Sequence, residues 1–147
     1  MTELLTTIVL WLSINFGISA NYDHPRVEFA SPARMAALRH KGFSAGSQAD
    51  EAVGRPGDIV SVYLDDTRTI YLPDGWTGRT PAELSILVHE MVHHLQNAGG
   101  LKFACPQERE ALAYEAQERW LGLFGHDLLR DFQIDPFTVL VKSKCFY

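Results

Sequence analysis

The sequence predicts one α+β domain, mainly helical, with a small β-hairpin or sheet that precedes the helix carrying the candidate active site. Three observations predict this class. The chain has 147 residues, 46% of them hydrophobic and 21% charged. This composition is typical of a globular protein, and the length is sufficient for one hydrophobic core but not for two. Several segments have the spacing of amphipathic helices. One pair of β-branched runs around a polar turn predicts a hairpin. The domain is therefore expected to span residues 1–147.

The net charge argues against a nucleic-acid partner, and the cysteine content argues against a four-cysteine zinc site. The net charge is −5, without a cluster of Lys and Arg, which argues against nucleic acid as a partner because phosphate neutralisation dominates that affinity. The two cysteines, Cys105 and Cys145, are too few for a four-cysteine zinc site. Two reduced thiols are the favoured expectation, and one disulfide is the alternative if the chain is exported.

The first segment, residues 4–20, is the most apolar part of the chain. Its apolar residues recur at helical spacing, and they are Leu4, Leu5, Ile8, Leu12 and Phe16. This pattern predicts a half-buried first helix. A signal peptide is the alternative, but Glu3 precedes the segment without any Lys or Arg, whereas signal peptides begin with positive charge. No membrane span is expected at this length, and a cytoplasmic location is favoured over export.

The next stretch alternates extended and helical segments. Pro25 and Pro32 interrupt the chain, which predicts an extended connector with a strand at 26–29. Ser31, as an N-cap before a proline, predicts a helix over 33–40. Residues 41–58 contain four glycines, which predicts a surface loop and a mobile flap.

A hairpin follows, with strands at 59–64 and 69–72 around a polar turn. The sequence Pro-Asp-Gly-Trp at 73–76 predicts a further turn that ends it. Because each strand alternates its side chains between two faces, the hairpin can pack one face on a helix.

The helix after this turn begins with a capping box. Thr80 and Glu83 have the required spacing, with Pro81 at the first helical position, so the helix is expected to run to about residue 97. Gly99 and its neighbour then end it.

Three segments complete the chain. A second helix is predicted from about 106 to 124, and a short helix over 127–132. The tail at 137–141 is apolar and rich in β-prone residues, so it is expected to pack on the core as extended chain.

The most informative residues are His89, Glu90 and His93, which form an H-E-x-x-H pattern in the middle of the predicted helix. Residues four apart lie on one helix face, so the two imidazoles can bind one Zn²⁺. Glu90 then lies near the metal without binding it, which suits a general base. His94 follows His93 directly, so its side chain points about 100° away from that of His93 round the helix axis. It is expected at the surface or behind the ligands.

A third protein ligand is expected because catalytic zinc usually has three protein ligands and a water. The second helix offers Glu108 and Glu110, which lie about 200° apart on the helix and cannot both face one ion. Glu110 is favoured because Tyr114 and Gln117 share its face and can contact the metal ligands. Other glutamates of this helix, Glu115 and Glu118, are expected on a solvated face with Arg109 and Arg119 as partners.

These motifs resemble those of known families. His89-Glu90-x-x-His93 with Glu110-x-x-Ala113-Tyr114 resembles the gluzincins, which are zinc metallopeptidases with an HExxH motif and a glutamate ligand. The Glu-x-x-Ala step also resembles phage-repressor-cleaving peptidases of the ImmA type. Over most of its length the chain resembles a family of small bacterial proteins, DUF6647. The segments that carry this resemblance are residues 70–76, 87–96, 113–114 and 117–121.

The gluzincin resemblance implies peptide-bond hydrolysis. Zinc bound by His89, His93 and Glu110 would activate a water, Glu90 would act as the base, and a peptide or protein would be the substrate. Tyr114, Tyr71 and His126 are the candidates for stabilising the oxyanion. The edge of the hairpin is expected to bind extended substrate.

Two alternatives to an enzyme remain open. One is a zinc-stabilised binding or regulatory module without turnover. The other is a metal-free helical protein. The oligomeric state cannot be inferred from the sequence.

Overall fold

The structure is a computed structural model that describes residues 1–44, 49–52 and 61–145. The elements occur along the chain in the order α1 (Thr2–Phe16), β1 (Arg26–Ala30), α2 (Pro32–Ser44), β2 (Ala49–Ala52), β3 (Ser61–Leu64), β4 (Thr69–Pro73), α3 (Pro81–Ala98), a 3₁₀ turn (Pro106–Arg109), α4 (Glu110–Gly122), α5 (Leu128–Phe132) and α6 (Pro136–Ser143). The predicted α+β class is confirmed. Within the described residues, no helix is both long and apolar enough to cross a membrane.

The strands form one mixed sheet in the order β1-β4-β3-β2. The predicted hairpin is its centre, with β3 and β4 antiparallel, while β1 pairs with β4 in parallel and β2 with β3 in antiparallel fashion. Both hairpin strands are therefore internal. The expectation that the hairpin edge binds an extended substrate is wrong, because the backbone groups of that edge already pair with β1 and β2.

Strand alternation separates two apolar layers. Tyr63 and Ile70, which are opposite one another in the hairpin, belong to the main core with α1, α3 and α4. Val62 and Tyr71 face the other way and pack with Met35 of α2. The period of two along a strand produces this division. As a result, Tyr63 points at the helix that carries the HExxH motif.

Helix α3 is the central element of the main core. All its residues from Ser85 to Gln96 are buried, including the polar ones. The sequence predicts one apolar face and one polar face, but the structure surrounds both. Because polar groups without partners are costly to bury, the polar face of α3 must be satisfied by groups from other elements.

Helix α1 confirms the prediction of a half-buried first helix. Leu5, Ile8 and Leu12 are among its buried residues, and they join the same core as α3. Its solvent side is exposed, as at Ile14.

The segment after β1 departs from its predicted organisation. Helix α2 continues to Ser44 and β2 occupies Ala49–Ala52, so the prediction of a continuous loop over 41–58 is wrong. The prediction of a mobile flap falls mostly on residues 45–48 and 53–58, which lie outside the described residues.

The chain after α5 also differs from expectation. Residues 137–141 lie within the helix α6, not in extended chain, and Phe137 is 72% exposed. Only Val139 of these residues is packed against the core. The cysteines correct another expectation, since Cys105 and Cys145 form a disulfide that joins the start of the 3₁₀ turn to the residues after α6.

Candidate metal centre

Three side chains from two helices converge in the core. His89 and His93 lie one turn apart on α3, with their Nε2 atoms 3.3 Å from each other. Glu110, the first residue of α4, places Oε2 2.9 Å from His89 Nε2 and Oε1 3.1 Å from His93 Nε2. The structure therefore brings together all three residues that the sequence predicts as metal ligands.

The spacing of these atoms can be compared with that of a zinc site. Bonds of about 2.0–2.1 Å at tetrahedral angles place neighbouring ligand atoms about 3.3 Å apart. The three distances of 2.9, 3.1 and 3.3 Å are close to this value. One ligand atom from each of the three residues lies within 4.8 Å of the other two, so the two imidazoles and the carboxylate could together hold a metal ion.

The competing glutamate has another role. Glu108 Oε2 accepts a hydrogen bond from the backbone N–H of Ala104, which closes the turn before the 3₁₀ helix. Glu108 is exposed. The preference for Glu110 over Glu108 thus agrees with the structure, since only Glu110 reaches the imidazoles.

The other nitrogen of each imidazole contacts an amide side chain. His89 Nδ1 lies 2.9 Å from Gln117 Oε1, and His93 Nδ1 lies 2.9 Å from Gln96 Oε1. Partners of this kind orient imidazole ligands in metal sites. Both glutamines are buried.

Glu90 is the remaining member of the motif. It is fully buried, and Ser61 Oγ on β3 donates a hydrogen bond of 3.1 Å to its Oε1. The bond holds the carboxylate against the sheet, next to the helix turn that carries His89 and His93. The orientation of the Glu90 carboxylate is therefore fixed by a residue that lies 29 positions away in sequence.

Electrostatics keep Glu110 ionised. Burial alone would raise the pKa of its carboxyl, but the imidazoles of His93 and His89 lower it well below its usual value. The same three side chains offer two imidazole nitrogens and one carboxylate, a donor set that suits a divalent cation.

Access to the centre is narrow. His89, His93 and Glu90 are fully buried, and the side chain of Glu110 is 13% exposed. A cavity of about 700 Å³ lies elsewhere, along the side of α4 that faces α5 and α6. None of the four cluster residues lines it, but Tyr114 does, and the Tyr114 ring also packs edge-on against His89 at 4.8 Å.

Two of the three oxyanion candidates are excluded by position. Tyr71 packs in the layer on the opposite side of the sheet from α3. His126 follows the end of α4, about 18 Å along the helix axis from Glu110, and contacts Asp131. Tyr114 stays a candidate because of its contact with His89.

The environment of His94 differs from the expected surface position. It is 1% exposed, with Nε2 2.7 Å from the backbone oxygen of Asp23 and Nδ1 3.0 Å from the hydroxyl of Tyr63. A carbonyl oxygen only accepts, so Nε2 donates to Asp23 and Nδ1 accepts from Tyr63. Both ring nitrogens are used, and His94 is a structural residue.

The expected charge pairs on α4 are partly wrong. Arg109 is buried and makes a two-pronged ion pair with Asp65 in the hairpin turn, at 2.9 and 3.0 Å. Glu118 accepts a hydrogen bond from the backbone N–H of Leu128. Glu115 and Glu118 are both exposed, as predicted, and Glu115 lies 3.6 Å from Arg119.

Sequence analysis did not identify Gln96 or Ser61 as members of the site. Gln96 follows His93 by three positions, and residues at this spacing on a helix are neighbours. The sequence therefore contained a signal for the contact between Gln96 and His93. Ser61 has no such local indication, because its contact with Glu90 depends on how the sheet packs on α3.

Comparison with known proteins identifies a family. A family model described as a domain of unknown function, DUF6647, matches residues 1–146. No curated protein and no solved structure matches the chain. The resemblance to that family is confirmed, whereas the resemblance to zinc metallopeptidases stays a prediction.

Proposed function

The chain belongs to the DUF6647 family, and we propose that this member is a zinc-dependent metallopeptidase that hydrolyses peptide bonds. One observation carries the proposal. Two imidazole nitrogens and a carboxylate lie 2.9–3.3 Å from one another, and the residue between the imidazoles that matches the motif's base is a buried glutamate. His89, His93 and Glu110 would hold the zinc, and three protein ligands are the number typical of catalytic rather than structural zinc sites.

The chemistry divides between metal and protein. Zinc, when bound, supplies a Lewis acid that lowers the pKa of a water and polarises the substrate carbonyl. Glu90 removes a proton from the attacking water as its oxygen adds to the carbonyl carbon. When the C–N bond breaks, Glu90 gives this proton to the leaving amine nitrogen. Ser61 keeps the carboxylate in place through its hydrogen bond to Oε1.

The substitution Glu90→Gln tests this mechanism. It keeps the shape of the side chain and removes its basicity. We expect the variant to bind one zinc per chain while its rate of peptide hydrolysis falls at least about 100-fold, as is usual for loss of a general base. Zinc is measured by atomic emission, and hydrolysis with a library of fluorescence-quenched peptides.

The matched control is Glu115→Gln, since Glu115 is an exposed glutamate on α4 and should leave both quantities unchanged. If Glu90→Gln retained most of the wild-type rate, the assignment of Glu90 as the base would be refuted.

A second candidate function is a zinc-stabilised binding module without turnover. The full burial of His89, His93 and Glu90 favours it, because an ion there would join α3 to α4 inside the core. Removal of zinc with a chelator separates the two functions. A catalytic ion should be lost with most helicity retained in circular dichroism, and hydrolysis should return when zinc is restored. A structural ion should be lost with cooperative unfolding.

A further inference from the structure

We propose that Gln96 and Gln117 are positioning residues that hold both candidate ligand imidazoles in one tautomer, with hydrogen on Nδ1 and a lone pair on Nε2. Each glutamine presents its carboxamide oxygen to a different imidazole, at 2.9 Å in both cases. The inference rests on the metal ion of the proposed function, but not on hydrolysis.

The direction of the Gln96 contact follows from its second partner. Gln96 Nε2 lies 3.2 Å from the backbone oxygen of Arg109, and a carbonyl oxygen can only accept. The amide nitrogen must therefore face Arg109, which leaves the amide oxygen towards His93. That oxygen also only accepts, so the hydrogen between the two side chains belongs to His93 Nδ1.

The Gln117 contact is directed in the same way. Gln117 Nε2 donates to Ser85 Oγ at 3.2 Å, and the hydroxyl of Ser85 donates its own hydrogen to the backbone oxygen of Ala82 at 2.7 Å. The hydroxyl hydrogen is used, so Ser85 accepts from the amide nitrogen. The Gln117 oxygen again faces the imidazole and accepts from His89 Nδ1.

The consequence appears at the ligand atoms. A neutral imidazole carries one hydrogen, so a hydrogen on Nδ1 leaves Nε2 with a free lone pair. The two Nε2 atoms are 3.3 Å apart and both face Glu110. Without the glutamines, either ring could carry its hydrogen on Nε2, which would block the ligand atom.

Burial indicates that the two amides are not incidental. Gln96 is 3% and Gln117 1% exposed, and a buried amide is costly unless its hydrogen-bonding groups are satisfied. Here each amide uses its oxygen on an imidazole and its nitrogen on another element of the fold. Ligand imidazoles are often held by carboxylates, whereas neutral amides add no further negative charge beside Glu110.

The test compares Gln117→Met and Gln96→Met, which remove the acceptor at similar volume, with Gln117→Glu, which keeps one. Zinc affinity is measured by competition with a chromophoric chelator, and the tautomers by ¹⁵N shifts of the imidazoles in zinc-free protein. We expect each Met variant to weaken zinc binding by about 10–100-fold and to lose the uniform presence of hydrogen on Nδ1 of its histidine. Gln117→Glu should keep that hydrogen, and the exposed Gln107→Met should match wild type.

Three results would overturn the proposal: Met variants that keep wild-type zinc affinity, wild-type imidazoles whose Nδ1 carries no hydrogen, or a Glu variant that loses the hydrogen on Nδ1. The Glu variant decides the matter if a Met variant does not fold. If the wild-type protein binds no zinc, the peptidase proposal fails. The ¹⁵N shifts of the zinc-free imidazoles still test the proposal that Gln96 and Gln117 hold hydrogen on Nδ1.

Discussion

The neighbouring histidines His93 and His94 of α3 are surrounded by different atoms. The Nε2 of His93 faces a carboxylate and a second imidazole. The ring of His94 is held on both sides by Asp23 and Tyr63, and burial lowers its pKa, so it is neutral at pH 7. Burial also raises the pKa of Tyr63 to about 12, which keeps its hydroxyl a donor to His94. One step round the helix thus separates a candidate ligand from a structural residue.

The choice of third ligand is tested at this scale by two alanine variants. Glu110→Ala removes the carboxylate between the imidazoles, and we expect stoichiometric zinc to be lost or bound at least about 100-fold more weakly, because only two protein ligands remain. The measurement is zinc content after dialysis against a weak chelator.

Glu108→Ala is the matched control, two residues earlier in the chain. It removes only a hydrogen bond to the Ala104 backbone, so zinc content should equal that of the wild type. A Glu110→Ala protein that retains one tightly bound zinc would contradict the ligand assignment.

At the scale of elements, the turn before α3 determines where the motif helix begins. Thr80 Oγ1 accepts from the backbone N–H of Glu83, and the Glu83 carboxylate accepts from the backbone and hydroxyl of Thr77. Trp76 closes the turn by donating to the Glu83 backbone oxygen. The bond from the Glu83 N–H confirms Thr80 as the predicted N-cap, whereas the Glu83 carboxylate binds Thr77 and the Thr80 hydroxyl in place of the N-cap backbone N–H of a capping box.

A prediction for stability follows from Glu83. Burial would raise its pKa, but the hydrogen bonds from Thr77 and Thr80 outweigh burial and lower the pKa below 4.5. A lowered folded-state pKa means that the ionised form stabilises the fold above the unfolded value, and that this contribution is lost as pH falls through the folded value. Glu83→Gln should therefore lower the free energy of unfolding by about 1–2 kcal/mol at pH 7.

Urea denaturation from pH 7 down to about pH 3 checks this effect. The difference between wild type and Glu83→Gln should shrink as the pH falls below about 4.5. The exposed Glu115→Gln should change stability by less than about 0.5 kcal/mol. A difference that stays constant over this range would show that Glu83 acts by packing and not by charge.

Helix α6 shows where local propensity misled the prediction. The run at 137–141 contains β-branched residues, which favour strands. The structure instead begins a helix with Asp135, whose side chain accepts from the N–H of Thr138 at 2.7 Å, and with Pro136 at the first position. A cap and a proline are stronger determinants of a helix start than weak β propensity.

At the scale of the whole molecule, the disulfide between Cys105 and Cys145 joins two segments that are 40 residues apart in the sequence. It links the 3₁₀ turn before Glu110 to the residues after α6. A cross-link that closes a loop of this length restricts the unfolded chain and stabilises the fold by about 4 kcal/mol in the loop-entropy model.

Reduction is therefore expected to lower the free energy of unfolding by about 4 kcal/mol, measured by urea denaturation with and without reductant. The double variant Cys105→Ser, Cys145→Ser should have the stability of the reduced protein and should not respond to reductant. Thiol titration of the unreduced, denatured wild type should find no free thiol. Two free thiols in protein prepared under oxidising conditions would contradict the disulfide.

The sequence by itself determined the features that depend on neighbours along the chain. Capping residues and apolar spacing located α3, and the H-E-x-x-H spacing placed two imidazoles on one face of it. Helix geometry separates Glu108 from Glu110, and Tyr114 and Gln117 on the same face favour Glu110. Such inferences are possible because the period of a helix converts sequence distance directly into direction.

Only the tertiary structure decided which distant groups complete the site. Ser61 beside Glu90, Gln117 beside His89 and Asp65 beside Arg109 are pairs from separate elements, 28–44 residues apart. The disulfide and the pairing of both hairpin strands belong to the same class. The polar pairs share one physical origin, because each polar atom buried in the core must find a partner wherever packing brings one.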